Sequence, residues 1–139
     1  MAGFSEPYDG RGIACFDYDQ DGDLDIIINA VERSVRLYKN QLNGEKNWLA
    51  VRLVGLSGNT EAFGAKVTLY TSAGKQYREV RFENNYLSRS PSQVHFGLGK
   101  ETQVEKLQVE FAEPDKRKVV IDSPEINQLY IVSQTQKSK

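Results

Sequence analysis

The stretch "CFDYDQDGDLDIII", Cys15 to Ile28, decides how this chain is read. Aspartate stands at every second position, at Asp17, Asp19, Asp21, Asp23 and Asp25, with Gly22 inside the run and isoleucines after it. One reading is a strand with a charged face. Aspartate is depleted in strands, and carboxylates held this close repel one another without a cation. The other reading is a metal loop. Hard divalent cations take oxygen ligands, calcium six to eight of them, so a chain wrapping one ion needs carboxylates at alternate residues and a sharp turn, where glycine relieves strain. Numbered from Asp17, the acids fall at the first, third and fifth positions and Gly22 at the sixth, as in the first part of an EF-hand loop. Asp23 would offer its backbone carbonyl, and Asp25 closes the set. An EF-hand ends on a bidentate glutamate at the twelfth position, where Ile28 stands here. The following "IIINAV" is β-branched and strand-like, which argues against a helix–loop–helix sensor. The expectation is a structural calcium ion in a turn between two strands. Magnesium prefers octahedral sites that keep several waters.

Outward from the loop the pattern stays β-rich. No window sustains helical i, i+3, i+4, i+7 apolar spacing. "GIACFDYD", "LDIIINAV" and "SVRLYKN" read as three strands before the Asn43-Gly44 turn signal. After it, "WLAVRLVG", "AKVTLYT", "KQYREVRF", "VHFGLG", "EKLQVEF", "KVVID" and "NQLYIVS" read as seven more. Several alternate cleanly: Leu49, Val51 and Leu53 on one face; Val67 and Leu69; Leu107, Val109 and Phe111. Regularly spaced short strands divided by turns are the pattern of a β-sandwich or barrel. The fold class expected is all-β, a three-strand blade-like unit over residues 1–44 followed by a seven-strand antiparallel β-sandwich over 45–135, with 136–139 a tail.

Composition sets bounds. The chain has 139 residues, 39% hydrophobic and 27% charged, with a formal net charge of −1. The charge is uneven: up to Asp25, Glu6, Asp9 and the loop aspartates face only Arg11. Such a local excess of acid points to a local cationic partner. No Lys/Arg stripe or nucleic-acid motif is present, no apolar run reaches the roughly 20 residues of a membrane span, and no signal-peptide pattern opens the chain. The single cysteine, Cys15, excludes an intrachain disulfide and a Cys-rich zinc site, and its setting among apolar residues reads as a small buried hydrophobe.

"GIACFDYDQDGDLDIIINAVERSVRLYKN" resembles the FG-GAP/VCBS-type repeat, which carries a D-x-D-x-D-G-x-x-D calcium loop between two strands of a propeller blade. The resemblance implies side-chain ligands at Asp17, Asp19, Asp21 and Asp25, with Asp23 at the backbone-carbonyl position. "NWLAVRLVG", "FGAKVTLYT", "YLSRSPSQVHFGLG", "VEKLQVEF" and "NQLYIV" resemble, in order, the ASPIC/UnbV domain found after such repeats. Two departures stand out: "RFENN" replaces a Gly/Ser-rich stretch, and "EFAEPDKRK" replaces a tryptophan-bearing hairpin. The resemblance implies a non-enzymatic module from the C-terminal part of a larger secreted or cell-surface protein, engaged in protein–protein interaction. A lone blade leaves sheet edges and one face to cover, by the sandwich, by a longer propeller or by self-association.

Other candidates carry less chemistry. A catalytic metal needs an open coordination position and nearby acid–base groups, and the only histidine, His95, lies far along the chain in a strand-like segment. Gly97 and Gly99 lack a phosphate-loop context and read as a bulge or tight turn. Ser88, Ser90 and Ser92 lack a nucleophile-elbow context. The polar loop "ENNYLSRSPSQ" contains Tyr86 and Arg89, residue types that suit an interface. Trp48, Tyr77, Tyr86 and Arg89 form the candidate ligand surface, for a protein or, as the alternative reading, for a glycan by sugar stacking. A metal-dependent hydrolase is the third reading, and the sparse acid–base inventory argues against it.

Overall fold

The computed structural model describes residues 9–41, 46–82, 85, 87–112 and 116–135. Among them there are ten strands and no helix: β1 (Gly10–Phe16), β2 (Asp25–Ala30), β3 (Arg36–Tyr38), β4 (Asn47–Val54), β5 (Lys66–Thr71), β6 (Gly74–Glu79), β7 (Gln93–Gly99), β8 (Lys106–Glu110), β9 (Lys118–Asp122) and β10 (Leu129–Ser133). They form three sheets, β1-β2-β3, β10-β4-β7 and β6-β5-β8-β9. The chain divides into two compact units, one of Met1–Asn43 with Glu83–Pro91 and the other of Gly44–Phe82 with Ser92–Lys139.

The second unit is a two-layer sandwich. Leu49, Val51 and Leu53 of β4, Val94, Phe96 and Leu98 of β7 and Val132 of β10 point inward from one sheet. Val67 and Leu69 of β5, Leu107 and Val109 of β8 and Val119 of β9 meet them from the other. This is the period-2 alternation of half-buried strands. Each fully buried large side chain contributes on the order of 1.5–3 kcal/mol, and Phe96 is wholly buried at the centre. Beside it, the Arg78 guanidinium lies 5.4 Å from the Phe96 ring centroid, and Gln76 Nε2 donates to the Gly97 carbonyl at 2.8 Å. These two β6 side chains close the gap to β7. The "SAGK" turn forms a tight hairpin, with Thr71 opposite Gly74 in the β5–β6 register. The shift in β4–β7 pairing at Asn47/Trp48, opposite Gly99 and Gly97, is the bulge those glycines signal.

One expectation is corrected. The sandwich is not wholly antiparallel, because β10 runs parallel to β4, with Leu129 opposite Ala50 and Val132 opposite Leu53. The chain leaves β9 in one sheet and enters β10 in the other, so β10 is not the return limb of a hairpin and its direction is free of that constraint. The β10–β4 pair is entered through two backbone bonds, Asn127 N–H to Trp48 O at 2.7 Å and Ala50 N–H to Gln128 O at 3.1 Å.

In the first unit β1, β2 and β3 form an antiparallel meander. Cys15 faces the same side as its partner Ile26, and it is exposed. Burial of Cys15 was the sequence expectation; it fails because this narrow sheet buries little. Its described buried side chains include Ile28 and Asp25. The outer side of β1 is met by Leu87–Pro91, whose serines bond the strand backbone. Ser88 Oγ accepts from Ile13 N–H at 3.0 Å and donates to Ile13 O at 2.5 Å. Ser90 Oγ accepts from Cys15 N–H at 2.9 Å.

Candidate metal centre

The acidic turn connects β1 to β2, and the backbone explains why it closes here. Gln20 and Gly22 have positive φ, 62° and 95°, a conformation costly for most side chains and free for glycine. Asp17 draws the turn in by accepting N–H bonds from Asp21 at 3.1 Å and Gly22 at 2.9 Å. Asp21 Oδ1 accepts from Asp23 N–H at 2.9 Å. At the far side, buried Asp25 is a clamp: its carboxylate accepts from Tyr18 N–H at 2.9 Å and from Asn40 N–H at 2.7 Å. The start of β2 is thereby tied to both the loop and the end of β3.

The structure brings Asp17, Asp19 and Asp21 together, with one carboxylate oxygen of each within 4.8 Å of the others. Two oxygens on opposite sides of an ion at about 2.4 Å are separated by about 4.8 Å, so these donors fit one calcium-sized coordination sphere. Asp23 Oδ2 is buried and has no hydrogen-bond partner among the described residues. An unpaired buried carboxylate oxygen is costly, but Asp23 is not among the three aspartates that converge. The donor set is all oxygen, the chemistry of a hard ion. Asp25 is outside the cluster of three, and both its oxygens already accept backbone N–H groups.

Electrostatics in the loop pull in opposite directions. Burial, the largest cause, pushes the Asp17 carboxyl above its usual value, against the lowering pull of backbone N–H bonds; the Asp21 charge also raises it. Asp19 is held below the usual carboxylate range, chiefly by its hydrogen bond to Lys39. Lys39 was not legible as part of this site. It follows β3, and the pairing of Ile26 with Tyr38 brings the end of β3 alongside the start of β2. Its ammonium pairs closely with Asp19 and lies 3.8 Å from Asp21 Oδ2. The signal that finds it is the strand register, which the sequence does not print.

The candidate ligand surface is dispersed. Trp48 lies on the outward face of β4, stacked on His95 with ring centroids 5.9 Å apart. Tyr77 is exposed on β6, opposite Thr68 in the other sheet of the sandwich. Arg89 is exposed in the segment along β1, and Tyr86 lies outside the described residues. His95 is thus a stacked strand residue, opposite Ala50.

An all-β chain combining a two-layer sandwich with an acidic turn between strands is the class these features define. The chain belongs to the ASPIC and UnbV family, whose model matches residues 55–139. It is similar to cartilage acidic protein 1 of Xenopus tropicalis, 37% identical over 70% of this chain and 16% of that protein. It is also similar to cartilage acidic protein 1 of Homo sapiens, 32% identical over 79% of this chain and 17% of that protein. The chain therefore spans about one sixth of the curated relatives it matches.

Proposed function

We propose that this chain is a non-enzymatic, calcium-stabilised recognition module of an extracellular protein, with an FG-GAP-like calcium loop preceding the ASPIC/UnbV sandwich. The observation that carries the metal reading is the convergence of the Asp17, Asp19 and Asp21 carboxylate oxygens to within 4.8 Å of one another. In this reading Asp17, Asp19 and Asp21 hold the ion by side chains, Asp23 adds its backbone carbonyl, and Asp25 turns from sequence-expected ligand to clamp. The ion supplies charge neutralisation and shape to the turn. The extracellular placement rests on the similarity to cartilage proteins, and it suits a calcium-rich compartment. A protein partner fits better than a glycan, since Trp48 is stacked on His95 and Tyr77 projects from the other sheet. No helix among the described residues is long and apolar enough to cross a membrane.

The test is thermal melting in chelator and in rising calcium. A ligand that binds only the folded state stabilises it by about 2.7 kcal/mol at one hundred times its Kd, so the midpoint should climb with free calcium. Asp21→Ala should remove most of the gain. An unchanged midpoint between chelator and millimolar calcium overturns the assignment.

A further inference from the structure

The calcium reading leaves one charged group unexplained, the ammonium of Lys39 at the mouth of the acidic turn. Its position is built in. Asn40, the next residue, donates its backbone N–H to Asp25 Oδ1 at 2.7 Å, and its side-chain amide reaches the Leu24 carbonyl at 3.5 Å. Residue 39 is therefore held between the β3 ladder and this double attachment to the loop. From there the ammonium pairs with Asp19 and Asp21 at once. Those are two of the three aspartates whose oxygens converge.

We propose that Lys39 is an internal counter-cation of the loop, pairing with Asp19 and Asp21 when no ion is bound and giving up those carboxylates when a divalent ion enters. This inference rests on the calcium reading. The physical case is direct. A single ammonium offsets part of the repulsion between Asp19 and Asp21, while a divalent ion brings twice the charge into the same oxygens. The exchange is feasible because the pair is accessible: the Lys39 side chain is 49% exposed, and those of Asp19 and Asp21 are 28% and 34% exposed. The ammonium can swing into water while its backbone stays fixed. Lys39 thereby lowers calcium affinity and steadies the ion-free turn, narrowing the stability difference between the two states.

The experiment is calcium titration by calorimetry, paired with thermal melting in chelator, on wild type, Lys39→Met and Arg11→Met. Arg11 pairs with Asp9, so its substitution removes a charge from the same unit without touching the Lys39 contacts. Lys39→Met should tighten the calcium Kd by about two- to five-fold, the scale of one exposed ion pair, and should lower the melting midpoint in chelator. Arg11→Met should leave the Kd within error of wild type. An unchanged or weaker Kd in Lys39→Met, beside normal binding in wild type, overturns the role of Lys39 and spares the calcium site. An equal tightening in Arg11→Met shows a general charge effect and also overturns it. Absence of calcium binding in wild type removes both readings together.

Discussion

Asp17 is the residue on which the loop's two tasks conflict. It ties the turn by accepting the Asp21 and Gly22 N–H groups, yet burial pushes its carboxyl up. A raised carboxyl means the fold prefers the protonated form. That preference stabilises the ion-free fold below the unfolded value and is lost as pH rises through the folded one. At neutral pH and without an ion, the ionised Asp17 therefore supports the fold less than its protonated form does. Asp17→Asn removes the charge but keeps only one of the two acceptor oxygens, so its Nδ2 meets one of the two turn N–H groups. In chelator the wild type's melting midpoint should gain on that of Asp17→Asn as pH falls toward 4, because only the carboxyl takes up a proton. In millimolar calcium at pH 7 the wild type should melt higher, because it gains an ion that the amide binds poorly. Gly22→Ala should fail differently. A φ of 95° costs a side chain on the order of 1–2 kcal/mol, so it should lower the midpoint both with and without calcium.

At the scale of elements, the segment Leu87–Pro91 does for β1 what a fourth strand would do, with hydroxyls in place of part of a backbone ladder. Ser88 and Ser90 are two residues apart, and so are Ile13 and Cys15, so both side chains reach the same edge. Ser90 Oγ also accepts from Asn85 Nδ2 at 3.0 Å, which fixes the hydroxyl. Each such bond contributes about 0.5–1.5 kcal/mol. Ser88→Ala should speed amide exchange at Ile13, and Ser90→Ala at Cys15, with little change at Val51 in the sandwich. These contacts were not legible beforehand. A serine that bonds a strand 75 residues away leaves no periodic mark, and "YLSRSPSQ" reads as an exposed polar loop. The strands themselves were legible because alternation is local: Leu49, Val51 and Leu53, or Leu107, Val109 and Phe111, show their buried face in a few residues. The same limit explains the parallel β10–β4 pair and the place of Lys39, since both depend on strand register rather than on neighbouring residues.

Across the whole molecule, burial is concentrated in one unit. The sandwich holds the contiguous core around Phe96, and Phe96→Ala should cost about 3–5 kcal/mol, read as a fall in the urea midpoint. The other unit has strands of seven, six and three residues and a single described apolar side chain, Ile28, that is buried. So small a sheet has little hydrophobic support of its own. Among the described residues its ties include the Asp25 clamp, the aspartate turn and the serines from a segment more than 40 residues beyond the Asn43 boundary. A fragment of residues 1–44 keeps the first two ties and loses the third. It should show no cooperative melting in chelator by circular dichroism. Calcium should bind it at least ten-fold more weakly than it binds the full chain, because the ion must now also order the turn and the β1 edge. Adding residues 83–91 as a separate peptide should recover little, since the second chain brings an association cost that the intact chain avoids. Cooperative melting of the fragment, with a calcium Kd equal to that of the full chain, would show that the acidic turn and its meander fold without the serine segment.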